Sequence, residues 1–584
     1  MFIYKIENGE MPRTAFSLIN KLPVALELLI LKCENLGMTK IIALAFFLLS
    51  ATAIMAQSSP LRLEIPAPSG SDPFNYVTAG ENGVLVFYPT INETGKDSVS
   101  WSFLMADNQL KESWHNLMPL HKDATYLKSL SGKEAIYLLF HDTKTKEDSN
   151  IFVFMVVPRL KAIIEYRNII PAKAEVVDFE ISHAFVYIGF NNRKGQPGIV
   201  GFSLITGEKR NYSITTEKDA LLLDIAIDTT RNDIFATYKI QYSSTKNHLF
   251  VNQYNSPGAL VKTFDFSGQN EKKNFNSAQY IPFGDGQGLV AGTYGFNISN
   301  TRRQYDYYDY YYNNYYNSYY SPYYSRQSEY DANEDKTPVS DGYFTAKVDS
   351  GVAQNVKYYN FSKFNNAFKY ITNPNALKKP KAPKRNDKEA SEESFDGEEN
   401  EKTLNLRLTT HEISSNNKEF VIVSEAYSPE YHTNTQMSYD YYGRAFPTSY
   451  QIFDGFRYSH AFVAGFDSSG NMVWNNGMEM RDILTKYLNR KLNCLFEDDE
   501  TVMYYNANNK VAFKTIKGSS VIENTSYTPL APKRGTDQPL EEYLGTIQYW
   551  YGDYFIATGY QSIRNNFLES SKRNVFYLSK MAFR

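Results

Sequence analysis

The chain has 584 residues, a formal charge of −3 and an aromatic content of 15%, with 47 Tyr and 38 Phe. Without a basic excess it carries no electrostatic footprint for nucleic acid or an anionic membrane surface. Its two cysteines, Cys33 and Cys494, exclude a disulfide-stapled scaffold, so stability must come from packing.

Residues 1–56 read as an upstream extension and a signal peptide. Met38-Thr39-Lys40 opens a second start, followed by the apolar run Ile41 to Leu49 and the small-residue stretch SATAIMAQ, with cleavage after Ala56. That charged, apolar and small-residue order is the pattern of a secretory leader. The run is short for a membrane anchor, so no stable span is expected after cleavage. Cys33 lies in the extension, which leaves Cys494 alone and no intramolecular disulfide.

From 57 to 584 a single domain is expected, because one unit recurs. Apolar stretches begin near residues 83, 134, 184, 233 and 288, a period of about fifty that indicates a circular array of small sheets. Each unit reads as four strands, A to D. Unit two supplies TYLKSLS, AIYLLF, IFVFMVV and AIIEYRNI; units three, four and six open on EVVDFEI, LLLDIAI and RLTTHEI; unit seven, from LNCLFE to SVIENTSY, is compact. The eighth has LGTIQYW, YFIATGY and VFYLSKMAF but no fourth strand, while LRLEIPAP, from Leu61 to Pro68, stands unpaired ahead of the first unit. The expected fold is all-β, a β-propeller of eight four-stranded blades. The ring closes by pairing Leu61 to Pro66 beside Val575 to Phe583, which removes exposed sheet edges. Seven blades is the alternative, with the compact unit absorbed into a neighbour. Helical periodicity is confined to Met480 to Asn489.

Three insertions interrupt the units. Residues 299–341 hold a tyrosine-rich loop in which 12 of the 20 positions from Tyr305 to Tyr324 are Tyr. Residues 373–401 form a linker in which the basic block KKPKAPKRNDK precedes the acidic EASEESFDGEENE. Residues 428–459 form a long aromatic loop. Blade strands alternate in direction, so B-to-C loops and D-to-A connections share one rim, and all three insertions fall on it. The A-to-B turns on the other rim are short and polar. Elaborated loops on a rigid scaffold are where recognition concentrates.

Chemical motifs are scarce. The spacing Asp467-x-x-Gly470-x-x-x-Trp474 is loosely similar to the repeats of quinoprotein-like and sialidase-type propellers. Its Asp and Gly are three apart rather than two, so it reads as tight-turn punctuation with Gly at positive φ. The eight histidines form no metal-ligand spacing, and neither a nucleophile elbow nor a phosphate loop occurs. No catalytic residue, metal or cofactor is therefore expected. One constellation stands out on the elaborated rim. Glu425 near the end of strand B of unit six and Arg457 and His460 at the start of strand C are candidates for an acid and two bases joined by hairpin pairing.

The segments GTYGF (Gly292 to Phe296), DGYFTAKV (Asp341 to Val348), FVIVSEAY (Phe420 to Tyr427) and FDGFRYSHAFVAGFDSSGNMVW (Phe453 to Trp474) resemble a family of uncharacterised, exported β-propeller-like proteins of Gram-negative bacteria. The resemblance implies an envelope location, in the periplasm or at the outer surface, and brings no activity with it. A non-catalytic binding or scaffold protein is expected, whose partner is a glycan or another envelope protein and not nucleic acid. Tyr431, Tyr439, Tyr441, Tyr442, Phe453, Phe456 and Tyr458 are the expected anchors, beside Glu425, Arg457 and His460. The alternative is a glycan hydrolase or lyase, whose mark would be carboxylates converging in the central funnel.

Overall fold

Strands dominate because apolar and β-branched residues alternate between tight polar turns. In a computed structural model, residues 61–582 are described except for 68–73, 143–149, 193–195, 267–272, 297–337, 368–403, 566–571 and several gaps of one to three residues. The expected signal peptide, most of the tyrosine-rich loop and the charged linker lie outside the described residues. Pro60–Arg584 forms one compact unit.

The described strands pair into eight antiparallel sheets, seven built on strands that follow one another in the chain and the last on three such strands plus one from the N-terminal end. We number them in chain order from the sheet that opens with Asn75–Thr78. Within each sheet the first strand is innermost and the fourth outermost. The last sheet consists of Asp537–Tyr551, Tyr554–Asn565 and Lys572–Ala582, and Arg62–Pro66 adds to its outer edge, from Arg62 opposite Ser579 to Pro66 opposite Val575. This is the closure expected from the sequence. The fold is a β-propeller of four-stranded blades. The blade count comes to seven, the alternative expected above, although the hydrogen-bonded ladders of the described residues separate into eight sheets. The compact segment from Asn493 to Pro529 pairs as a sheet of its own.

Hydrophobic clusters lie between consecutive sheets and carry the ring. Phe87, Trp101 and Phe103 of sheet 1 interlock with Phe140 and Phe154 of sheet 2, with Phe140 and Phe154 centroids 5.2 Å apart at 90°. Each such buried ring contributes about 1.5–3 kcal/mol. At the seam, Phe74 stacks on Phe576 at 4.8 Å and the Trp550 indole donates to the Gly83 carbonyl at 3.1 Å. Ile65 and Ala67 join the same seam cluster, so the N-terminal strand is packed as well as paired.

Two expectations change. Residues 428–459 are not an irregular loop. The strands Phe420–Tyr439 and Ala445–Phe466 stay paired out to Tyr439 opposite Ala445, making a long two-stranded ribbon. Its Thr, Tyr, Phe and Ile residues favour extended backbone, and one strand supports the other. Met480 to Asn489 is not helical either. Leu484–Thr485 bridges to Phe456 and Arg457 at the root of that ribbon, so tertiary pairing overrides a weak local period.

Candidate functional site

The innermost strands of sheets 2 to 6 share an irregularity. Register shifts fall at Tyr126/Lys128, Val176/Asp178, Leu222/Asp224 and Phe275/Ser277 in sheets 2 to 5. In sheet 6 the inner strand breaks between Thr410 and Ser414. A bulge inserts one residue and re-aims its neighbour. Here Leu127, Val177 and Leu223 pack into the core shared with the next sheet, and the following residues, Lys128, Asp178 and Asp224, are charged.

These side chains knit the inner wall together. Lys128 Nζ donates to Asp178 Oδ1 at 2.6 Å, and Asp178 Oδ2 accepts from the Ile225 N–H at 3.3 Å. Asp224 accepts from the Tyr280 N–H at 3.3 Å and Gln279 from the Ile413 N–H at 2.7 Å. Lys128 also lies 3.0 Å from Glu412 and 3.9 Å from Glu180, and Arg490 lies 3.9 Å from Glu412. Sheets 2 and 6 have three sheets between them either way round the ring, so the Lys128–Glu412 contact crosses the axis. Glu412 keeps 57% of its side-chain exposure although protein surrounds it, as suits a residue lining an axial channel.

The electrostatics follow from this crowding. Burial pushes the Lys128 ammonium down, but Asp178, Glu412 and Glu180 outweigh it and hold the group charged. Burial, then the Asp178 charge, raises Glu180 to about 8. The same two causes, in the same order, raise Asp224. Burial also acts to raise Glu412, yet Lys128 and Arg490 bring it below the ordinary carboxylate value. At neutral pH this axial cluster therefore presents fixed cations and an ionised Glu412 beside a carboxylic acid, Glu180, that holds its proton. It can donate and accept hydrogen bonds and can move a proton.

Glu425, Arg457 and His460 are not brought together. Glu425 opposes Ala461, whereas His460 opposes Ala426, and adjacent positions on a strand face opposite sides of a sheet. Glu425 is fully buried. It accepts from His411 Nε2 at 2.6 Å, from the Lys491 N–H at 2.8 Å and from the Leu492 N–H at 2.9 Å. Arg457 instead makes a two-pronged pair with Glu430, its Nη2 donating at 2.8 Å, which ties the ribbon's root. His460 is buried, its Nδ1 2.9 Å from Ser459 Oγ, and burial lowers it to about 4.

The expected aromatic anchors divide. Phe456 and Tyr458 are core residues, and the Tyr458 hydroxyl donates to the Asn489 carbonyl at 2.5 Å, so neither offers contact area. Tyr431 and Phe453 are half-buried against one another, with centroids 5.5 Å apart. Tyr442 is 80% exposed. The side chains of Tyr439 and Tyr441 lie outside the described residues. Sequence reading missed the axial charges because they span Lys128 to Arg490 and form no local motif. The signal was charge placed within the apolar inner strands of units two to four, TYLKSLS, EVVDFEI and LLLDIAI. Among the described residues, no cluster of three His, Cys, Asp or Glu side chains is arranged to hold a metal ion.

No family model and no curated protein matches the chain. Among solved structures it is similar to the polysaccharide lyase Uly1, at 8% identity over 78% of this chain and 89% of that one, with a TM-score of 0.33. It is also similar to the β-propeller domain of the Trilobed protease from Pyrococcus furiosus, at 7% identity over 77% and 97% of the two chains and a TM-score of 0.33. A prolyl endopeptidase structure matches at 8% identity over 86% of this chain and 56% of its own length, with a TM-score of 0.36. Strand pairing carries the fold assignment here, and no activity is transferred from these likenesses.

Proposed function

We propose that the chain is an exported protein of the bacterial cell envelope that binds a polyhydroxylated ligand, a glycan, at the mouth of its axial channel. Export is supported by the order of charged, apolar and small residues before Ala56. The observation that carries the binding reading is the convergence of Lys128 from sheet 2, Asp178 and Glu180 from sheet 3, Glu412 from sheet 6 and Arg490 from the segment ahead of sheet 7. Mixed fixed donors and acceptors suit sugar hydroxyls better than a single-sign ligand. The ribbon from Ser428 to Ser459, with Tyr442 exposed, adds an aromatic flank on the rim. A glycan array comparing wild type with K128M and E412Q tests the assignment. Retention confined to the wild type is expected, and an identical profile for all three would sink it.

One observation favours a second reading, glycan cleavage by hydrolysis. Glu180 holds a proton beside Asp178, and such a pair can protonate a leaving oxygen while an ionised carboxylate activates water. Release of new reducing ends from envelope polysaccharide by wild type but not E180Q would support it. Binding without release would leave the non-catalytic reading.

A further inference from the structure

Resting on the axial-site reading, we propose that Glu425 is a positioning residue, whose buried carboxylate clamps the two backbone segments that carry Glu412 and Arg490 into the channel. One oxygen, Oε1, takes His411 Nε2 at 2.6 Å, the Lys491 N–H at 2.8 Å and the Leu492 N–H at 2.9 Å, and Oε2 takes the Lys491 N–H at 3.1 Å. His411 is the residue before Glu412, and Lys491 is the residue after Arg490.

Each axial residue is secured on its other side as well. The Ile413 N–H donates to Gln279 at 2.7 Å, and the Asn489 N–H donates to the Tyr458 hydroxyl at 3.0 Å. Neither axial segment lies within regular strand at this point, since the inner strand of sheet 6 is interrupted from 411 to 413 and the strand of sheet 7 begins only at Asn493. Backbone groups that a ladder would ordinarily satisfy are here satisfied by one carboxylate, and charge-assisted bonds of that kind are the short, strong ones. Removing the carboxylate frees both segments together, so the Lys128–Glu412 contact across the axis depends on a residue that touches neither partner.

The test reads Lys128 directly and needs no ligand. Acylation by an N-hydroxysuccinimide ester, followed by peptide mass spectrometry, compares Lys128 in wild type, E412Q and E425Q. E412Q should raise the Lys128 rate about threefold by removing one carboxylate partner, and E425Q should reproduce at least half of that rise. The buried Lys239 and Lys514 should stay protected in both variants, which separates local release from general loosening. If E425Q does not fold, H411N and Y458F, which loosen the same two segments one at a time, replace it, and each should raise the Lys128 rate. Lys128 as protected in E425Q as in wild type, while E412Q exposes it, overturns the proposal, as does unchanged protection in both replacements. Failure of E412Q to alter glycan retention would remove the binding reading and leave this clamp intact.

Discussion

Lys128 Nζ and Glu412 Oε1 lie 3.0 Å apart, joining inner strands that have three sheets between them in either direction round the ring. Neighbouring blades meet through apolar faces and the inner-wall hydrogen bonds, whereas this contact ties opposite walls by charge. Its two ends are unequal. Glu412 keeps 57% of its side-chain exposure, whereas Asp178, the other strong partner of Lys128, keeps 10%. Losing the cation should therefore cost more than losing the outer carboxylate. K128M is expected to destabilise by about 1–3 kcal/mol, because it leaves Asp178 buried without its cation. E412Q should cost under about 1 kcal/mol. Urea denaturation of the two variants checks the order, and equal losses would contradict it.

Acid–base behaviour follows from which groups are displaced. Burial, aided by Asp178, raises Glu180 from 4.5 to about 8. The folded state thus holds a proton that the unfolded state has released, and stability from this source is full below 4.5 and lost as pH rises towards 8. Asp224 is displaced in the same direction. Burial lowers His141 and His460 from 6.5 to about 4, so their contribution is present above 6.5 and lost as pH falls towards 4. A thermal midpoint profile should decline from pH 6.5 to 8 in the wild type and flatten over that interval in E180Q. H460Q should soften the loss on the acid side.

The turn after strand C of sheet 6 makes a sharper test of the Asp467 to Trp474 segment. Gly470 has φ +73°, and a Cβ there would lie 2.8 Å from Thr345 Oγ1. Its carbonyl accepts from Thr345 Oγ1 at 2.6 Å and from the Tyr359 hydroxyl at 2.7 Å, both in sheet 5. Gly470→Ala should cost about 1–3 kcal/mol, combining left-handed strain with displacement of Thr345. Gly443, at φ +74° with open space around its Cβ position, is the control. Its alanine variant should lose about 1 kcal/mol or less.

Ring closure should be visible in solution behaviour. Ile65 is buried in the seam between the last sheet and the first. Ile65→Asp places a charge there and releases Arg62–Pro66 from the edge of the final blade. A thermal midpoint lower by several degrees, together with concentration-dependent aggregation, is expected because an unpaired edge templates association. A variant that remains monomeric with an unchanged midpoint would show that the seam does not need this strand.

The ribbon is expected to be dispensable for folding. Beyond Tyr431 its two strands pair with each other, from His432 opposite Ile452 to Tyr439 opposite Ala445, and a shorter hairpin costs little in loop closure. Replacing residues 433–451 with a two-residue turn should leave the thermal midpoint within about 3 °C of wild type, roughly the shift for 1 kcal/mol in a large domain. A larger drop would assign the ribbon a structural role.

The chain's own pattern was sufficient for the repeat, the four-strand unit and the closing strand, because each rests on short-range alternation and on turns such as Asp467 to Gly470 that the chain makes locally. It also marked residues 428–459 as a long aromatic insertion, though as a loop and not a ribbon, and singled out Glu425, Arg457, His460 and Tyr458. What these residues do was decided only in three dimensions. Register placed Glu425 and His460 on opposite faces, burial turned Phe456 and Tyr458 from surface anchors into core, and Glu430 claimed Arg457. Lys128, Asp178 and Glu180 were in plain view as polar positions within apolar strands, whereas Glu412 and Arg490 lie outside regular strand, and nothing local relates Lys128 to Glu412. Their meeting depends on ring closure and on bulges at one level of successive blades, so long-range packing, not sequence spacing, sets which charges face one another.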